Sequence, residues 1–315
     1  MARLGVAVSG GPNPSEIVDC VKLAESLGYE SAWVAEGHGG DQFAVLAACA
    51  AQTTRIKLGT SISSVFVRTA PTIAMAAGTI DELSDGRFIL GLGSSHKVQV
   101  EPEHGVPYAK PLSHVRDAVA IVRALLCDGE VQYEGEAIRI ENFDLWFRPY
   151  RADMPIYISA LFPKMMRLCG EISDGVILTR STLETAEKIK PLIAEGAVSA
   201  GRDPAKVDVT SLLPMAVADT LEAARDIMRP GVAFYAGFFP RYNRLISEYG
   251  FAEEAVAISK AWAQGDRAGA ARLVTDAMVD ATGIVGTSDD CRARINEYRD
   301  AGLDLPIISP FARGP

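Results

Sequence analysis

Short apolar runs, mostly four to eight residues long, alternate along this chain with stretches whose apolar positions recur every three to four. Leu4–Val8, Ala32–Ala35, Ile56–Ile62, Arg87–Leu92, Pro155–Ala160, Gly175–Thr179, Val207–Val217 and Leu305–Ser309 read as strands. They are apolar on both faces, as strands of a parallel sheet covered by helices must be. The stretches between them carry helix punctuation. Asn13-Pro14-Ser15-Glu16 places an N-cap residue, a proline at N1 and an acid at N3. Ile17, Val21 and Ala24 then share one face, and Gly28 supplies the stop. Further helices are predicted over Gln42–Gln52, Pro71–Leu83 and Pro111–Leu126. Strands alternating with helices in this way predict an α/β fold. The expected form is a closed (β/α)8 TIM barrel with insertions rather than an open doubly wound sheet.

Two stretches exceed a minimal barrel. An insertion runs over about 94–146, in which Val131–Tyr133 and Ala137–Ile140 are set to pair around Glu134-Gly135-Glu136. A helical excursion runs over about 219–302. Its last helix has Thr287 as cap, Cys291, Ile295 and Tyr298 on one face, and Gly302 as stop. No Gly/Ser- or Pro-rich linker divides residues 1–315, which predicts a single domain. The last strand leaves about six residues before Pro315, too few for a helix. A helix of the excursion or a partner subunit is therefore expected to cover that strand.

Composition narrows the field. With 315 residues, 48% of them hydrophobic, the chain can bury one large core. The formal net charge of −9, without a basic stripe, disfavours nucleic acid and anionic lipid. The apolar runs are too short to span a bilayer. Met1–Gly10 lacks the basic start and apolar stretch of a signal peptide and reads as a strand. Cys20, Cys49, Cys127, Cys169 and Cys291 are scattered, with no C-x-x-C spacing. They read as reduced core residues of a cytoplasmic protein.

Arg87-Phe88-Ile89-Leu90-Gly91-Leu92-Gly93 resembles strand four of the bacterial-luciferase-like superfamily, and Leu58-Gly59-Thr60-Ser61-Ile62, reaching Pro71, its strand three. His104-Gly105-Val106-Pro107-Tyr108, followed by Pro111-Leu112 and Arg116, is similar to the insertion of deazaflavin-dependent members. Met154 to Ala160, Pro163-Lys164 and Gly170 to Gly175 resemble the segment from strand five to strand six that holds the cofactor. Their order points to the branch resembling coenzyme F420-dependent methylenetetrahydromethanopterin reductase. The resemblance implies a homodimeric oxidoreductase acting on a small molecule, with its cofactor at the C-terminal mouth of the barrel. It also implies a non-prolyl cis peptide in strand three beneath the cofactor ring, by position Ser61–Ile62.

Barrel chemistry sits on the loops after strands. Glu36, His38 and Asp41 follow strand two. The resemblance gives His38 a place near the ring, where an imidazole can donate a hydrogen bond or relay a proton. A loop histidine satisfied by a neighbour would look the same. A metal set of Glu36, His38 and Asp41 lacks the further ligands it needs. Ser94, Ser95 and His96 follow strand four, whose Gly91 and Gly93 let backbone approach a ring; His96 falls near an acidic proton donor of some relatives. Ala160, Leu161, Phe162 and Lys164 open the next helix, whose amides and dipole suit a phosphate. Gly175 and Val176 complete that wall. His104 and His114 read as structural, as do Asp85 and Arg87 at the opposite end of strand four.

Two positions depart from the family pattern. Phe162 stands where relatives usually have glycine. Val6 and Val8 stand on strand one, where pterin-reducing relatives carry a glutamate. Phe234, Tyr235, Phe238 and Phe239 form a substrate wall, a dimer surface or a plain core.

Three functions compete. The first is hydride transfer between reduced coenzyme F420 and a small organic substrate. The second is an FMN-dependent monooxygenase, which needs cations for a terminal phosphate dianion; Arg68, Lys97 and Lys164 are the available set. The third is a degenerate barrel without activity. A metal-dependent hydrolase is a more distant alternative.

Overall fold

A computed structural model describes residues 3–8 and 13–311. The ends of the strand expected over Met1–Gly10 lie outside the described residues. Two compact units are present: residues 1–177 with 191–210, and residues 178–190 with 211–315.

In the first unit β1 (Gly5–Val8), α1 (Pro14–Ser26), β2 (Ser31–Val34), α2 (Gln42–Gln52), β3 (Lys57–Thr60), β4 (Ser63–Ser64), α3 (Ala70–Leu83) and β5 (Phe88–Gly93) follow in order. The insertion then gives α4 (Lys97–His104), α5 (Pro111–Asp128) and a hairpin of β6 (Glu130–Glu134) and β7 (Arg139–Asp144). β8 (Ile156–Ser159), α6 (Pro163–Ile172) and β9 (Gly175–Thr179) come next. Strands β1, β2, β3, β5, β8 and β9 pair in parallel in that order. The helices form where the punctuation places them. At the start of α1 the Glu16 carboxylate accepts the Asn13 N–H at 2.6 Å. The hairpin is tied down by Asp117 of α5, which accepts from the Tyr133 hydroxyl at 3.0 Å and from the amides of Ala137 and Ile138 at 2.7 and 2.9 Å. Gly59 is required by packing, because a Cβ there would lie 2.4 Å from the buried Trp33 ring.

The N-terminal ends of the strands carry stabilising polar networks. Arg87 donates to the carbonyls of Ala50, Thr53 and Ile56 at the close of α2, the structural role expected for it. Arg3 bridges Glu30 and Asp208, and Asp208 also accepts from the Tyr157 hydroxyl at 2.6 Å.

α7 (Leu183–Ser199) and β10 (Asp208–Val217) follow β9. The second unit continues with α8 (Leu221–Phe238), α9 (Pro240–Glu248), α10 (Ala252–Ala263), α11 (Arg267–Arg272), α12 (Asp276–Thr282), β11 (Ile284–Gly286), α13 (Ser288–Asp300) and β12 (Leu305–Pro310). β10 lies between β11 and β12. Met228, Val232, Ala236, Ile246, Ile258, Met278 and Val279 belong to one core cluster of this unit. Thr287 and Asp290 form a capping box at α13, which buries Cys291, Ile295 and Tyr298 as the spacing predicts. α13 also packs on β12, so the helix preceding the last strand covers it. The fold class is the expected α/β (β/α)8 barrel with insertions.

Two expectations need correction. β11 carries no strand signal in the sequence, because three residues, the last of them Gly286, are too few to show a period. Cys20 and Cys127 are exposed rather than in the core, while Cys49, Cys169 and Cys291 are buried. Cys20 is out of phase with the Ile17–Val21–Ala24 face, and Cys127 lies in the last turn of α5. Among the described residues no helix is long and apolar enough to cross a membrane.

Candidate active site at the strand ends

The site is built from a defect in the third strand. β3 pairs with β5 through Leu58–Phe88 and Gly59–Ile89, and β4 resumes through Ser63–Leu92 and Ser64–Gly93. The third strand thus spends one residue more than the fourth over this stretch, which is a β-bulge. The Ser61–Ile62 peptide within it is cis. Where the ladder stops, a side chain replaces it. The Thr60 hydroxyl donates to the Gly91 carbonyl at 2.8 Å and accepts the Gly91 N–H at 2.7 Å. Gln42, buried at the start of α2, donates from Nε2 to the carbonyls of Val34 at 2.6 Å and Ile62 at 3.3 Å.

Glu36 holds the far side of the bulge. One oxygen accepts from the Ser64 amide at 3.0 Å and from the Ser63 hydroxyl at 3.3 Å. The other meets Arg68 Nε at 2.5 Å. Arg68 also reaches Asp41 at 2.6 Å and lies over the Phe43 ring. Burial opposes ionisation of Asp41, yet bonds from Arg68 and from the Ala44 amide hold it below its usual range. These carboxylates are committed to a loop-fixing ion pair. His38 stands on the rim, its side chain 76% exposed and its Nε2 3.0 Å from Glu103 of α4.

Strand four supplies the floor. A Cβ at Gly91 would lie 1.9 Å from the Thr60 carbonyl oxygen. One at Gly93 would lie 2.3 Å from Ser159 Oγ and 2.8 Å from Ile62 Cγ1. Ser94 is buried, and Ser95 takes a positive φ of 53°, a conformation uncommon without glycine and frequent at functional loops. The Tyr108 hydroxyl donates to the Ser95 carbonyl at 3.4 Å. Phe66 stacks between Tyr108 at 4.5 Å and His114 at 4.2 Å, which gives His114 its structural place. His96 caps α4, and its carbonyl accepts from Gln99 and Val100; His104 is exposed in the last turn of that helix.

Strands five and six close the wall. The buried Ala160 donates its N–H to the Ile177 carbonyl at 3.2 Å, and Leu161 is half-buried beside it. Phe162 is the N-cap residue of α6, and its carbonyl accepts from Met165 and Met166. Lys164 is exposed in the first turn of that helix. Gly175 sits against the Tyr157 ring, 2.7 Å from a would-be Cβ, and Val176 is fully buried.

The residues fit a flat ring cofactor with a phosphate. Ser61 Oγ is buried on the bulge and has no hydrogen-bond partner among the described residues. Gly91 and Gly93 let Thr60, Ile62 and Ser159 pack directly on the fourth strand, where any side chain would collide. Among the three candidate cations, Arg68 is paired with Glu36 and Asp41, and Lys97 with Glu101 at 3.6 Å. Lys164 has no ion-pair partner among the described residues and stands in the first turn of α6. Thr60 and Gln42 escape a sequence-based site search. Gln42 does leave one signal, as a polar residue just ahead of the apolar run Phe43–Ala51.

The chain, a (β/α)8 barrel with a bulged third strand, belongs to a class, the luciferase-like monooxygenase family, whose model matches residues 1–305. The chain is 35% identical over 303 residues to the 5,10-methylenetetrahydromethanopterin reductase of Methanolobus tindarius, covering 95% of this chain and 91% of that one. The reductase of the same name from Archaeoglobus fulgidus is also 35% identical, over 94% of this chain and 89% of its own length. The solved coenzyme F420-dependent tetrahydromethanopterin reductase of Methanopyrus kandleri superposes with a TM-score of 0.88 at 27% identity, covering 98% of this chain and 93% of that one.

Proposed function

We propose that this protein is an oxidoreductase that moves a hydride between reduced coenzyme F420 and a small organic substrate. The observation that carries the choice of cofactor is the charge at α6. Lys164 is the uncommitted cation of its set, and with the helix N-terminus it suits the single negative charge of a phosphodiester. The dianionic terminal phosphate of FMN would call on Arg68, which Glu36 and Asp41 already occupy.

When bound, the reduced deazaflavin supplies the hydride; the protein supplies orientation and a dry surface. Ser61 Oγ, Ile62, Ser94 and Ser95 bind the ring edge and face. Ala160, Leu161, Phe162, Lys164, Gly175 and Val176 hold the phosphate and its linker. His38 on the rim, paired with Glu103, carries a proton to or from solvent, and His96 stands second to it. Glu36 acts as a positioning residue through Ser63, Ser64 and Arg68. Val6 and Val8 offer no acid on β1, which favours a substrate other than a methylene-tetrahydropterin. The chain works as one domain, in the cytoplasm and as a homodimer. The exposed Trp146 and Tyr150 beside the hairpin give such a pairing an apolar surface.

The test is anaerobic mixing of the protein and reduced deazaflavin with a panel of aldehydes, ketones and imines. The expected result is reappearance of the oxidised cofactor's absorbance with at least one acceptor, slowed in Lys164→Ala at low cofactor concentration. Failure of every acceptor to reoxidise the cofactor would count against hydride transfer.

A further inference from the structure

Arg180 follows β9 directly, at the strand end where barrel enzymes place their chemistry. Its residue is 3% exposed, and its Nη1 has no hydrogen-bond partner among the described residues. The ionisable groups acting on it are phenols, those of Tyr235, which also hydrogen-bonds it, and Tyr242, and among the described residues no carboxylate neutralises it. Burial pushes the Tyr242 hydroxyl well above its ordinary value, so that phenol stays neutral. A buried, unneutralised guanidinium is costly and is seldom kept without a partner.

The surroundings hold it in place. Its backbone takes a positive φ of 50°, and its N–H bonds the Leu212 carbonyl at 3.1 Å. The next residue, Ser181, pairs with the Ser211 hydroxyl at 2.8 Å and accepts from the Tyr298 hydroxyl at 2.7 Å. One face of the guanidinium lies on the Tyr235 ring, 3.9 Å from its centroid. That stacking leaves the donor edge as its means of binding. Gly231 packs close beside it, for a Cβ there would lie 3.0 Å from Phe311 and 3.7 Å from Arg180 Nη2. Phe234, Phe239 and Tyr242 extend the aromatic surface from Tyr235, at centroid distances of 5.5, 5.4 and 4.7 Å from that ring.

We propose that Arg180 anchors the carboxylate of a bound organic acid with an aromatic or similarly flat apolar body. The planar fork of the guanidinium matches a carboxylate, and the single positive charge matches a monoanion. The aromatic side chains accept the rest of the molecule.

The test titrates benzoate, its neutral analogue benzamide, and inorganic phosphate into the wild-type protein, Arg180→Lys and Arg180→Met. Thermal midpoint and intrinsic fluorescence are followed, and a deazaflavin titration is run on each protein. Benzoate is expected to raise the midpoint of the wild type, with benzamide and phosphate at least tenfold weaker. Arg180→Lys should lose at least tenfold in benzoate affinity and Arg180→Met the whole response, with deazaflavin binding unchanged in both. Should Arg180→Met fail to fold, Arg180→Lys alone decides. Equal binding of benzamide, tighter binding of phosphate, no response to benzoate, or full affinity in Arg180→Lys would overturn the proposal. If benzoate binding depends on Arg180 while the deazaflavin does not bind, the acid site stands and the cofactor reading falls.

Discussion

Thr60→Val is the sharpest perturbation of the bulge. Thr60 is fully buried, and its one hydroxyl serves both the carbonyl and the N–H of Gly91, at 2.8 and 2.7 Å. Valine has nearly the same shape, so no cavity forms. The loss is electrostatic: two buried backbone groups of Gly91 are left without partners. Each such group costs about 1–3 kcal/mol, so the variant should lose about 2–6 kcal/mol. Thr60→Ser is the control, because it keeps the hydroxyl and gives up one methyl, worth about 1 kcal/mol. Equilibrium urea unfolding of the three proteins compares these values, and a deazaflavin titration on each reads the site. Thr60→Val should fall below Thr60→Ser in stability and bind the cofactor at least tenfold more weakly. If Thr60→Val is as stable as Thr60→Ser, the hydroxyl does not stand in for the missing ladder and the reasoning fails.

Three further outcomes are expected. Gly93→Ala pushes on Ser159 and Ile62 and should cost about 1–3 kcal/mol by overpacking, with a clear loss of cofactor affinity; adding Ser159→Ala should recover part of both, and a double variant no better than the single one would refute this. Asp208→Asn removes the negative charge and one of the two acceptor oxygens that serve Arg3 and Tyr157. Burial opposes ionisation of Asp208, but hydrogen bonds from Arg3 and Tyr157 hold its carboxyl below its ordinary value of 3.8, so its contribution is present above that pH and fades as pH falls through the lower folded value. The variant should lose about 2 kcal/mol at neutral pH and show a shallower acid limb in a denaturation series. Burial pushes His114 below its ordinary value of 6.5, against Asp117 and the Ala109 backbone, which act upward. The unfolded chain then takes up that proton first, so stability should decline as pH drops below about 6.5. His114→Phe, which keeps the stack on Phe66, should flatten the decline; an unchanged slope between pH 5 and 7 would contradict the assignment.

The parts legible in sequence are those written in local pattern. β9 and α2 fall on their expected bounds because a short apolar run ends at a turn, and because Asp41 caps a helix of apolar residues. Thr287, Cys291, Ile295, Tyr298 and Gly302 mark α13 by spacing alone. The break between β3 and β4 is different. Ile56 to Ile62 reads as one strand, since the bulge depends on how residues 58–64 register against residues 88–93. Long-range partners are hidden in the same way. Nothing local ties Thr60 to Gly91 or Arg68 to Glu36, and nothing around Arg180 signals that its side chain lies on Tyr235. Family resemblance, rather than periodicity, pointed to Ser61 and Ile62.

The central claim is that the bulged third strand and the α6 N-terminus together receive a deazaflavin. A side-by-side titration of the purified protein with coenzyme F420 and with FMN tests it most directly. One molecule of F420 per chain, bound at least tenfold more tightly than FMN, is the result this account predicts. Tighter binding of FMN, or saturation by neither at high concentration, would contradict it.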